Sequence, residues 1–292
     1  MDHAVAGALA DALATGVSEL ARVRGGDLND AFAATLADGR RVFVKTSADV
    51  LPGTYRAEAE DLRWLAEPGA LGVPEVLAVV DAEAPDAPGP RLLALELIDS
   101  GRLGAAGELA LGRGLAAVHA AGAGAFGAPH PMRLGALVIA NDPEDDWAAF
   151  YVRRRLEPLA RAARDRGALD ARGVQAIDRV CARVEALAGP PEPPARLHGD
   201  LWSGNVMADA GGRPYLIDPA AYGGHREVDL AMLRLFGGPS ARCLDAYAEA
   251  LPLTDGHEER VGLWQLFPLL VHAVLFGGGY GASAARTAAR YA

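Results

Sequence analysis

Over residues 1–97 the apolar residues fall mostly in short alternating runs, whereas from residue 98 onward they recur at helical spacing. A pattern divided this way does not suit one alternating β-α sheet. It predicts an α+β chain with a small strand-rich lobe over 1–97, a larger mainly helical lobe over 98–292, and a ligand cleft where they meet.

Within the first lobe, Val5, Leu9, Leu13 and Val17 share one helical face, so the first 22 residues read as an amphipathic helix. Leu28 to Leu36 and Arg41 to Thr46 read as strands joined through the turn pair Asp38-Gly39, a strong hairpin signal. A helix is expected over 54–67, then strands Val76–Val80 and Leu92–Ile98 around a surface loop, Asp81–Pro90. In the second lobe helices are expected over 107–121, 144–165, 170–188, 227–236, 240–250 and 257–275. Two short strands, Arg196–Leu197 and Pro214–Ile217, interrupt them.

Composition narrows the partners. Twenty-eight basic against thirty-eight acidic residues leave a formal charge of −10, which disfavours a phosphate backbone and so nucleic acid. The run Arg153-Arg154-Arg155 beside Glu157 reads as a solvated helix face. No apolar run approaches the roughly 20 residues that span a bilayer, and no basic leader precedes an apolar one. Only Cys181 and Cys243 are present, far apart and in no C-x-x-C arrangement, which argues against a zinc module and suits a reducing cytoplasm. Nothing in the sequence specifies an oligomeric state.

The chemistry concentrates in His198-Gly199-Asp200-Leu201-Trp202-Ser203-Gly204-Asn205 and in Ile217-Asp218-Pro219. Two carboxylates and an amide, each leaving the end of a short strand, make an oxygen-only site suited to Mg²⁺ shared with substrate phosphates. Asn205 and Asp218 are the candidate metal ligands, and Asp200 remains to accept a proton from a substrate hydroxyl. Upstream, Gly25-Gly26 opens the hairpin whose second strand ends in Lys45. Glycine amides there would approach phosphate oxygens, with Lys45 on the α- and β-phosphates. Lys45 needs a carboxylate on the next helix. Glu58 lies one turn before Leu62 and faces inward with it, whereas Glu60 is about 200° away and, with Asp61, reads as solvated surface. Backbone groups of Glu96, Leu97 and Ile98 are positioned to meet an adenine edge. The order of these elements is that of an ATP-dependent kinase.

These segments carry a resemblance. HGDLWSGN followed by LIDPAAYGGHREVDLAMLRLFGG resembles the fructosamine kinase (ketosamine kinase) family, in the aminoglycoside-phosphotransferase-like branch of the protein-kinase-like fold. GGDLNDAFAATLADGRRVFVK, YRAEAEDLRWL, DWAAFYVRRRLEPL and LWQLFPLLVHAVLFGGGYG extend the likeness over most of the chain. The resemblance implies a bilobal kinase-like fold using ATP and Mg²⁺. In it Asp200 is the proton acceptor, Asn205 and Asp218 hold metal, and Lys45 with Glu58 positions phosphate. The implied substrate is a ketosamine, phosphorylated on its sugar 3-hydroxyl, which is a deglycation activity.

Trp202 would shape the sugar pocket or brace the loop as a core residue; both readings stand. Asp229 is expected to brace the catalytic loop, His198 to fix its backbone, and His119 and His225 to be structural. Ser203 lacks the His and Asp partners of a hydrolase nucleophile. Some family members carry a cysteine in the glycine loop that links dimers under oxidation; Gly25-Gly26-Asp27-Leu28-Asn29 has none, so that control is not expected. The rivals are another small-molecule kinase of this fold, acting on an aminoglycoside, choline or a homoserine-like alcohol, and a nucleotide-binding regulator without turnover.

Overall fold

Lys45 illustrates how the first lobe is built. Side chains alternate across a strand, so Val42 and Val44 of β3 (Arg41–Thr46) point one way, Phe43 and Lys45 the other. The computed structural model, which describes residues 2–23, 30–47, 50–81, 89–238 and 240–292, places β3 at the centre of a five-stranded antiparallel sheet. Its partners are β1 (Val17–Val23), β2 (Asp30–Leu36), β4 (Val76–Val80) and β5 (Leu92–Glu96), in the order β1-β2-β3-β5-β4. Gly39, at φ 87°, closes the β2–β3 turn as the Asp-Gly pair predicts. On one face Phe32, Ala34, Val42, Val44, Leu92 and Ala94 pack with Val5 and Leu9 of helix α1 (Asp2–Leu13). On the other, Leu93 and Leu95 pack with Tyr55, Ala59 and Leu62 of α2 (Thr54–Ala66). Lys45 therefore faces α2.

The N-terminal helix is shorter than its spacing predicts. It stops at Leu13, Ala14 turns through φ 51°, and Val17–Val23 become the edge strand β1. Pairing with β2 overrides the helical register of Val17. Asp81 is not surface loop either. It is buried, and its carboxylate accepts from the amides of Gly53 and Arg56, 3.0 Å each, at the start of α2. α2 has no side-chain cap of its own, so Asp81 satisfies its first orphan donors and complements the helix dipole. Gly25 and Gly26 lie outside the described residues, as do residues 82–88 of the expected loop.

Beyond Glu96 the chain becomes mainly helical. Helix α3 (Ala105–Ala120) is followed by a small hairpin, β6 (Met132–Leu134) and β7 (Leu137–Ile139). The helix expected over 144–165 is interrupted. It comprises α4 (Trp147–Phe150), a π-helical stretch Tyr151–Leu156, and α5 (Glu157–Asp165). Pro158 explains the irregularity, since it has no N–H to bond the preceding turn. The freed Arg154 carbonyl accepts instead from Arg155 at 3.1 Å. Arg155 is thereby turned inward, so of the run read as a solvated face Arg153 is exposed and Arg155 is not. Its guanidinium is fully buried among the rings of Phe150, Tyr222 and Phe267 and also donates to Asn141 Oδ1 at 2.5 Å.

The expected 170–188 helix divides into α6 (Ala171–Cys181) and α7 (Val184–Leu187). Four short strands, β8 (Ala195–Leu197), β9 (Val206–Ala208), β10 (Pro214–Leu216) and β11 (Tyr222–Gly224), pair as β8–β11 and β9–β10. Helices α8 (Glu227–Leu235), α9 (Ala241–Ala250), α10 (His257–Phe276) and α11 (Tyr280–Ala288) complete the lobe. α11 escapes the periodicity because its inward positions, Gly281, Ala284 and Ala288, are small. The amide of Gly72 donates to Pro214 O (3.0 Å) and that of Leu216 to Gly72 O (2.8 Å), tying the approach to β4 to β10 in the second lobe. Among the described residues no helix is long and apolar enough to cross a membrane.

Arg155→Lys should cost about 2 kcal/mol of unfolding free energy in urea, because a compact ammonium cannot stack on three rings and serve the same acceptors. An unchanged midpoint would remove Arg155 as the organiser of that core.

Candidate active site

The catalytic loop runs from β8, paired with β11, to β9, paired with β10, so its course is set by what grips it between. Asp229, on the first turn of α8, is that grip. Its buried carboxylate accepts from the amides of His198 (2.7 Å) and Gly199 (3.0 Å), and His119 Nε2 stands 3.3 Å away. Gly199 adopts φ 82°, and a Cβ there would strike the Ala220 carbonyl, so only glycine fits. His198 acts on the backbone from the other side. The amide of Asp200 donates to its Nδ1 at 3.3 Å, which leaves the proton on Nε2 to reach Ile217 O at 2.9 Å. Burial holds its pKa below the ordinary value, consistent with a neutral ring.

This frame fixes the backbone that carries Asp200. Asn205, held in a single 3₁₀ turn, donates through Nδ2 to Asp200 O (2.8 Å) and to Asp200 Oδ2 (3.1 Å). The other Asp200 carboxylate oxygen bonds to no described residue. Burial, with Asp218 and Asp229 nearby, pushes the Asp200 carboxyl up to about 6, although the Asn205 bond pulls the other way. It is still chiefly ionised at neutral pH, and so is a competent proton acceptor.

Lys45 closes the arrangement from the first lobe. Its Nζ lies 2.7 Å from Glu58 Oε1 and 2.7 Å from Asp218 Oδ1. Burial alone would lower the pKa of this ammonium, but Glu58 and Asp218 outweigh it and hold Lys45 above its ordinary value. Glu58, not Glu60, is therefore the helix carboxylate that Lys45 meets. Asp218 sits at φ 54°, an uncommon conformation that Asp tolerates better than most residues.

The donor set fits a magnesium ion. With Nδ2 committed to Asp200, the Asn205 amide oxygen is left for a cation, and Asp218, 40% exposed, keeps a second carboxylate oxygen beyond Lys45. Among the described residues no group of three or more His, Cys, Asp or Glu side chains forms a metal cage.

Other predicted residues fall as follows. Glu96 ends β5, its amide donating to Glu75 O at 2.9 Å, and half-buried Leu97 and Ile98 continue past the sheet rather than extending it. Trp202 is 39% exposed with its ring lying over Gly204, so it is no core residue. His119 bonds the Tyr247 hydroxyl at 2.8 Å, and His225 stacks on Trp264; both are buried. Asp61 corrects the expected solvated face. It is buried, and its Oδ2 accepts from the amide of Ala221 at 3.0 Å while Oδ1 lies 3.2 Å from His130 Nε2. Sequence reasoning had no means to find Asp81 or His130, since each acts on a segment distant along the chain.

Comparison with known proteins agrees with this geometry. The family model for fructosamine kinase matches residues 1–291. A probable ketoamine kinase of Enterococcus faecium is 35% identical over 89% of this chain and 90% of its own. A chloroplastic protein-ribulosamine 3-kinase of Arabidopsis thaliana is 33% identical over 94% of this chain and 83% of its own. A crystal structure assigned as a fructosamine-3-kinase from Thermobifida fusca superposes with a TM-score of 0.89, at 41% identity, covering 98% of both chains. An aminoglycoside phosphotransferase in complex with ADP and hygromycin B shares the fold at a TM-score of 0.60 and 19% identity. The fold is thus the bilobal protein-kinase-like one, and the chain belongs to the fructosamine kinase family.

Proposed function

We propose that the protein transfers the γ-phosphoryl group of ATP to a hydroxyl, the 3-hydroxyl, on the sugar part of a ketosamine. The observation that carries this reading is the chain of contacts that brings Lys45, Glu58, Asp218, Asn205 and Asp200 together from distant parts of the chain. The ribulosamine and ketoamine kinases among its relatives support the acceptor class.

In this reading residues 1–97 bind nucleotide and 98–292 supply catalysis and the acceptor site. Lys45, oriented by Glu58, steadies the phosphates, and Gly25, Gly26 and the backbone of Glu96, Leu97 and Ile98 hold the rest of the nucleotide. Asn205 and Asp218 would hold Mg²⁺, which neutralises phosphate charge when bound. Asp200 accepts the hydroxyl proton as the sugar oxygen bonds to phosphorus and ADP departs. Trp202, exposed beside that base, offers its ring to the sugar. Elimination of the 3-phosphate as inorganic phosphate, next to the sugar's carbonyl, and hydrolysis of the C–N bond by water then free the amine. The free thiols Cys181 and Cys243 support a cytoplasmic setting.

Asp200→Asn should lower kcat by about 10²–10⁴-fold on a fructosamine substrate while ATP still binds, as read by coupled ADP release and nucleotide titration. Because burial disfavours the charged carboxylate, the same variant should melt at a higher temperature than the parent. Undiminished turnover would sink the assignment of the base.

The pH profile follows from the same shift. Asp200 loses its base form as pH falls through its raised pKa of about 6, so kcat/KM should fall on an acid limb near pH 6, tenfold per pH unit below it. A limb near pH 4 would place the proton elsewhere.

A further inference from the structure

A cavity of about 430 Å³ lies along α2, on a flank the phosphoryl-transfer residues do not use. At 100° per residue, Glu60 and Trp64 stand about 200° and 240° round the helix from Glu58, and both line the cavity. Its opposite wall is the segment after α3, where Ala123, Gly124, Ala125 and Ala128 bring little side chain. Gly124 is informative. A Cβ there would meet nothing within 4 Å, and its backbone is not left-handed, so the fold itself does not require glycine. A volume of this size falls within the range of small-molecule sites.

One polar cluster marks an otherwise apolar lining. His130 Nε2 lies 3.2 Å from Asp61 Oδ1 and 3.8 Å from Glu60 Oε2, while Nδ1 lies 3.4 Å from Pro131 O. Both ring nitrogens face oxygen acceptors, which calls for a proton on each. The bond to Asp61 raises the His130 pKa in the same sense. One imidazolium thus answers two carboxylates, and Glu60, about half exposed, keeps a net negative charge at the cavity's edge. Arg196 stacks behind Trp64 but is already paired with Glu67 at 2.8 Å. Apolar walls with one uncompensated carboxylate suit a compact organic ammonium and disfavour sugars and phosphates.

The cavity also touches both halves of the active site. Asp61 fastens α2 to the amide of Ala221, three residues past Asp218, and Glu58 on that helix holds Lys45. We propose that this cavity is a second ligand site, separate from the acceptor pocket, which takes a compact organic ammonium and influences nucleotide binding through α2.

Isothermal titration of the full chain with 2-phenylethylammonium tests the site without relying on turnover. Saturable binding of one amine per chain is expected, at least tenfold tighter than the uncharged 2-phenylethanol. Glu60→Gln should reduce the amine to the level of the alcohol. Gly124→Leu should abolish both while leaving amine-free kinase activity unchanged. Saturating amine should shift the KM for ATP at least twofold in the parent and not in Gly124→Leu. Absence of saturation, equal affinity for amine and alcohol, or binding retained in Gly124→Leu would overturn the site. Competition with the ketosamine would assign the cavity to the acceptor pocket, and an unmoved KM for ATP would remove the coupling.

Discussion

The salt bridge from Lys45 to Glu58 and Asp218 is the contact on which the active site turns, because it joins the charged groups of three separate elements at one point. β3 supplies the ammonium, α2 one carboxylate, and the strand end after β10, 173 residues further along the chain, the other. Burial makes that ammonium costly unless it is paired, and two short ionic hydrogen bonds repay the cost. The same burial makes the geometry demanding. Loss of either carboxylate leaves a charge with fewer partners in a dry site, so the position of α2 and the path of Asp218 are fixed together. Asp81 at the start of α2 and Asp61 further along, bonded to Ala221, secure that helix at two points.

Much of this could be read from the sequence, for identifiable reasons. The hairpin is local: Asp38-Gly39 sets the turn and alternation sets the faces, so the placement of Lys45 toward α2 follows from parity. The preference for Glu58 over Glu60 follows from helical angle in the same way. Asp200, Asn205 and Asp218 lie in short segments whose spacing carries the pattern. Misreadings arose where a distant partner decides. Val17 fits the α1 stripe, but β2 pairing draws it into the sheet. Asp61 and Arg155 look like surface charges until Ala221 and the rings of Tyr222 and Phe267 are brought against them. Pro158 did carry a local signal of the broken helix, and the regular apolar spacing around it masked that signal.

The catalytic loop shows how structure is traded for chemistry. Asp229 and His198 spend their hydrogen bonds on the backbone of residues 198–200 and on Ile217, which leaves the loop little freedom. Asp200 is then held where burial and neighbouring carboxylates disfavour its charge. A group so placed lowers stability at neutral pH, and its raised pKa brings its proton affinity closer to the working range. The bonds from Asp229 to two backbone amides offset part of that cost, being charge-assisted and shielded from water.

Asp218 combines two demands at one position. Its backbone lies at φ 54°, and its carboxylate must reach Lys45. Glycine would accept the backbone and lose the charge; glutamate would keep the charge but suffers more strain in the left-handed region and carries a longer side chain. Asparagine would keep the backbone and the shape while removing the ion pair. Aspartate is the residue that meets both conditions. The Ile-Asp-Pro segment is therefore constrained by backbone conformation as well as by charge. That double constraint gives so short a segment its weight in the sequence.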